Sequence, residues 1–75
     1  MNTLTPDDIK DLDNWFTYHP ANEATLVQYK HVRSVSKDLV KWMLENLPRS
    51  ADHTAAIRSL RRTVMDINLA IACNP

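Results

Sequence analysis

Apolar residues recur at Ile57, Leu60, Val64, Ile67 and Ile71, with gaps alternating between three and four. That spacing places them on one side of a helix. Ser50 stands ahead of the run as an N-cap, and neither Gly nor Pro interrupts it, so a helix over about 51–72 is predicted. A second apolar group, Met65, Leu69 and Ala72, points about a third of a turn away, beside Arg58, Arg61 and Arg62. A helix with two apolar sides needs two neighbours.

The preceding segment repeats the pattern. Asn22 is the N-cap of a helix over about 22–47, whose inward face is expected to be Val32, Val35, Leu39, Trp42 and Met43. Leu26 and Leu44 lie off that face. Thr5-Pro6-Asp7-Asp8 is a helix start, with Thr as cap, Pro at the first position and acids at the positive end of the dipole. Ile9, Leu12, Trp15 and Phe16 follow as a short stripe, which ends before His19-Pro20 because Pro cannot continue a helix. This gives a helix over about 6–17. Pro48-Arg49-Ser50 leaves room only for an antiparallel return.

The expected fold is therefore all-α: a short N-terminal helix followed by a long antiparallel helical hairpin, in one domain over 1–75. One helix pair has a single interface, which leaves Trp42, Leu44, Met65 and Leu69 facing water. Self-association into a helical oligomer is expected for that reason. Asn68, at the edge of the seam, is of the kind that fixes helix register at some cost in stability.

Composition narrows the chemistry. At 75 residues a single core is barely sufficient. The lone Cys73 cannot form an internal bridge, which suits a reducing compartment. No apolar run approaches the roughly 18 residues of a membrane span, and the Asp-rich start is unlike a signal peptide, so a soluble, cytosolic protein is expected. Formal net charge is zero, which argues against coating long DNA or RNA. The absence of Gly removes every glycine-rich phosphate loop.

His19, His31 and His53 have no metal-ligand spacing, and Cys73 has no base near it in sequence. No metal, no cofactor and no enzyme activity is expected. More informative are Lys30, Arg33, Lys37 and Lys41, three, four and four positions apart, which form one cationic stripe on a helix. The plain reading of such a stripe is a solvated face. Its neighbour, Trp15-Phe16-Thr17-Tyr18-His19-Pro20, favours a ligand, because Tyr and His stack on a nucleobase while Lys and Arg hold phosphate. Trp15 and Phe16 are assigned to the core and Tyr18, at the bend, to the ligand. Arg58, Arg61 and Arg62 are a second cationic group. They are explained either by pairing with Asp66 or with acids of another subunit, or by an anion site repeated around a symmetry axis.

Phe16-Thr17-Tyr18-His19-Pro20, then Tyr29 and Arg33, Pro48-x-Ser50, Ala56-x-x-x-Leu60, Val64-Met65 and Asn68-x-x-Ile71 together resemble the small phage proteins of the anti-CBASS and anti-Thoeris hairpin-domain family. These are sponges that sequester cyclic-nucleotide signals of bacterial immunity. The resemblance covers about Trp15 to Asn74. It implies a compact homohexamer of interlocked dimers that binds cyclic dinucleotides between two protomers without cleaving them. Some relatives also take cyclic trinucleotides at separate sites near the threefold axis. It also implies immune evasion in the cytoplasm of an infected bacterial host.

On that resemblance, Tyr18 in the Tyr18-His19-Pro20 turn stacks on a base. Arg33, with Lys30 or Lys37 as substitutes, holds phosphate. The chain departs from the family pattern where an acidic pair and a Trp give way to Arg61-Arg62 and Asp66. Ala51-Asp52-His53 likewise replaces an Arg-Glu-basic turn. Either an altered ligand preference or loss of the trinucleotide site follows. Two other functions compete: a helical adaptor binding a host protein through exposed apolar faces, and a duplex or RNA binder using the lysine stripe.

Overall fold

The computed structural model describes residues 2–74. Three helices make up the described fold: α1, Pro6–Phe16; α2, Glu23–Asn46; and α3, Ala51–Cys73. Each starts at a side chain that satisfies a free backbone amide. Thr5 Oγ1 accepts from the Asp8 amide at 3.1 Å, and Asp8 Oδ2 accepts from the Thr5 amide at 3.0 Å. Asn22 and Thr25 repeat that reciprocal box, both bonds at 2.9 Å. Ser50 Oγ accepts from the His53 amide at 3.2 Å. Such caps contribute about 1 kcal/mol each. At the other end of α1, the Thr17 hydroxyl donates to the Asp13 carbonyl, and the backbone at Thr17 is already extended.

α2 and α3 pack as an antiparallel pair, and α1 makes no comparable packing. The closed end of the hairpin is set by His53, buried in the first turn of α3, whose Nε2 lies 3.3 Å from the Met43 carbonyl and donates to it. The Arg49 guanidinium reaches back to the Leu44 carbonyl at 3.2 Å, and the Leu47 amide donates to the Met43 carbonyl at 3.0 Å. The late carbonyls of α2 are thus capped from the turn itself, which closes the hairpin tightly.

Counting back from Met43 by threes and fours gives Val40, Ser36, Val32, Tyr29 and Thr25, and these are the buried or half-buried residues of α2. The expected inward face therefore holds at Val32 and Met43 but fails at Val35, Leu39 and Trp42, which are exposed. The reason is angular. Trp42 precedes Met43 by one residue, so it stands about 100° around the helix from the residue that the turn locks inward. On α3 the seam is Ile57, Leu60, Val64, Asn68 and Ile71. Asn68 takes the place expected of Ile67, which faces outward.

Trp15 and Phe16 are also not core: they are 60% and 83% exposed. Met43, at 7%, is the one buried apolar side chain among the described residues. The molecule measures 50 × 38 × 13 Å, with a radius of gyration of 16.9 Å. A compact chain of this length has a radius of about 11 Å. The excess reflects an extended arrangement in which α1 makes no packing comparable to that of α2 on α3.

Replacing Met43 with Ala is expected to cost about 2–5 kcal/mol, and replacing Asn22 with Ala about 1 kcal/mol. Urea denaturation followed by circular dichroism checks both. A Met43→Ala cost no larger than the cap cost contradicts the closed end described here.

Candidate functional site

The seam between α2 and α3 is interrupted by short polar side chains. Ser36 on α2 and Asn68 on α3 are half-buried where a tight helix pair would place Leu or Ile. Alongside them runs an open groove of about 800 Å³. Its apolar floor comes from Leu26, Val40 and Leu44 on one side and Leu60, Val64 and Met65 on the other. Arg33, Lys37 and Lys41 project over it from α2, Arg61 from α3, and the Tyr29 ring forms part of the wall. No carboxylate lines it.

Lys41 is partly committed, since its Nζ lies 3.9 Å from Glu45 Oε1 in an exposed pair. It is the one ion pair among the described residues. Of the alternatives for the α3 arginines, pairing of Arg62 with Asp66 does not form in this structure, and Arg33, Lys37 and Arg61 likewise have no carboxylate partner among those residues. Cations over an apolar floor, beside an aromatic ring, suit a small organic anion with a flat ring system.

The residues selected from the sequence fall in three places. Arg33 and Lys37 line the groove; Lys30, one turn earlier, is exposed and outside its lining. Arg61 joins them from the other helix, whereas Arg58 and Arg62 are exposed and do not line it. Tyr18 stands 85% exposed on the turn after α1, outside the groove, with Pro20 exposed beside it. Lys41, the last cation of the α2 stripe, also lines the groove, as does Tyr29, to which the sequence assigns no ligand role. Tyr29 precedes Arg33 by four positions, a spacing that places the two on one helix face.

His19 has a local task. Its Nε2 lies 2.6 Å from the Asn14 carbonyl and donates to it, folding the turn back on α1. The Asn14 side chain in turn donates from Nδ2 to the Cys73 carbonyl at 3.0 Å, tying α1 to the end of α3. Trp15 borders a second cleft there, about 500 Å³, with Leu69, Ala70 and Cys73. This chain of contacts fixes where Tyr18 is presented. No cluster of His, Cys, Asp or Glu suited to a metal ion occurs among the described residues, and no helix among them is long and apolar enough to cross a membrane.

Comparison with protein-family models, curated proteins and solved structures returned no match. The fold itself defines the class: an all-α helical hairpin with a short leading helix.

Asn14→Ala is expected to release α1 from α3. Hydrogen exchange should then quicken at the α1 amides and the Tyr18 turn while the hairpin amides of α2 and α3 keep their protection. Unchanged exchange in α1 contradicts the anchoring role.

Proposed function

We propose that the protein sequesters cyclic oligonucleotide second messengers without turning them over, in pockets formed where copies of the chain meet. The observation that carries this reading is the acid-free groove, in which Arg33, Lys37 and Arg61 surround an apolar floor beside Tyr29. A cyclic dinucleotide offers what such a surface lacks: two phosphates on a compact ring and two flat bases. Its near two-fold symmetry suits a two-fold interface, which presents every cation and ring twice.

The position of Tyr18 supports a pocket between copies rather than within one. In a single chain it stands outside the groove that holds Arg33, so a ring from the turn and a cation from α2 serve the same ligand only when a second chain supplies one of them. The resemblance of the Phe16-Thr17-Tyr18-His19-Pro20 turn to the anti-CBASS and anti-Thoeris hairpin proteins points the same way. It names the ligand class and, through those relatives, a hexamer and a role in phage evasion of bacterial immunity. Sequestration at nanomolar signal requires roughly −12 kcal/mol of binding free energy. Helices that are already formed lose little entropy on binding, which helps reach it.

The exposed Trp42, Met65 and Leu69 favour one competing reading, an adaptor that lays these faces on a host protein. Isothermal calorimetry at physiological salt separates the two. The proposed function expects nanomolar binding of at least one cyclic dinucleotide, and a loss of at least about tenfold in Tyr18→Ala and in Arg33→Ala with the assembly intact. Silence across a panel of cyclic di- and trinucleotides contradicts it, and undiminished binding in both variants contradicts the assignment of the site.

A further inference from the structure

Two surfaces of the chain are left open, and each is the complement of the other. On α1, Ile9, Leu12 and Phe16 are three and four positions apart and share one face, and all three are exposed. Asp8, four positions before Leu12, and Asp13, four after Ile9, border that stripe on its two sides. Asp7 and Asp11 add to them against the single Lys10, and none of the four aspartates pairs with a cation among the described residues. The groove between α2 and α3 is the converse. Leu26, Leu44 and Met65 on its floor are exposed, cations line it from both helices, and no carboxylate does.

We infer that α1 of one copy docks in the α2–α3 groove of a second copy, with its apolar stripe on the floor and its aspartates toward the basic rims. Charge complementarity selects the occupant: an acidic amphipathic helix meets an apolar groove edged with Arg and Lys. The chain does not fill its own groove in this way. The Asn14 side chain ties α1 to the Cys73 carbonyl at the end of α3. Asn14 stands about 200° around α1 from both Leu12 and Phe16, so the stripe points away from that anchor. A copy that gives its α1 and receives another's makes the contact twice in a two-fold pair.

The docking goes beyond the ligand reading and does not require it. An 11-residue helix is about 16 Å long, whereas α2 runs about 27 Å from Leu26 to Leu44, so part of the groove stays open beside the docked helix. Tyr18, two residues beyond Phe16, travels with α1 to the neighbour's groove.

The test places a photoreactive benzophenone at the exposed position 16 of the full chain, as Phe16→p-benzoylphenylalanine, and mixes isotopically heavy and light copies before irradiation. Mass spectrometry is expected to find heavy-to-light cross-links from position 16 to the Met65 segment, and their yield should fall at least about tenfold in Arg33→Glu/Arg61→Glu. Leu12→Ser/Phe16→Ser should weaken association by a similar factor in a light-scattering dilution series, with helical circular dichroism retained. Val35→Ser, on the outer face of α2, should leave the association unchanged.

Cross-links confined within single chains overturn the docking, as do cross-links between copies that miss the groove or their absence from an assembled protein. Association that survives Leu12→Ser/Phe16→Ser intact does so too. Groove cross-links together with calorimetric silence toward cyclic nucleotides sustain the docking and contradict the proposed function. Nucleotide binding without groove cross-links does the reverse.

Discussion

A chain with a radius of gyration of 16.9 Å, well above the about 11 Å of a compact fold of its length, has little interior in which to bury its apolar faces. Domains ordinarily bury their apolar faces between two layers. Here the accessible surface is 6580 Å², where a folded monomer of 8.6 kDa exposes about 4,700 Å². The excess is roughly 1,900 Å², and a standard interface removes about 800 Å² from each partner. The surplus corresponds to more than one neighbour, and the proposed assembly would remove it: copies would cover the apolar faces that the chain leaves exposed.

The same shortage of core shapes the groove. Along the seam, burial falls on Thr25, Ser36 and Asn68 as much as on Val32 and Val64, and hydroxyl and amide groups do not close a helix pair as branched aliphatic chains do. The bulky residues Trp42, Leu39 and Val35 stand on the outer face of α2 instead. The hairpin is consequently locked at its turn, by His53 and Met43, and holds an acid-free cationic groove along its flank.

Helix starts were readable because capping is local chemistry. Thr5, Asn22 and Ser50 announce α1, α2 and α3 within three residues of sequence, and the structure places a bond at each. The choice of inward face was not readable on α2, because Leu39 with Trp42 and Val40 with Met43 satisfy the same period. A tertiary contact ten residues away, His53 to Met43, decides between them. Asn68 displaced Ile67 for the same kind of reason: a helix face is set by its partner, and hydrophobicity alone points about 100° to one side. Within the candidate site, the α2 cations were legible from their spacing. Arg61 was seen as a cation, but its membership of the same groove depends on the antiparallel register and was not. The exposure of Trp15 and Phe16 is not legible in the sequence because aromatic residues on an amphipathic helix are ordinarily core, and only the tertiary arrangement, in which α1 packs little on the hairpin, shows that there is no core for them to enter.

The account depends most directly on the proposed self-association, and the mass of the protein in solution tests it. Light scattering on the chromatographed protein at micromolar concentration should give at least twice 8.6 kDa, with helical circular dichroism retained. A well-folded species of 8.6 kDa at that concentration would contradict the account, because Trp42, Met65 and Leu69 would then be stably exposed and no second chain would bring Tyr18 to the groove.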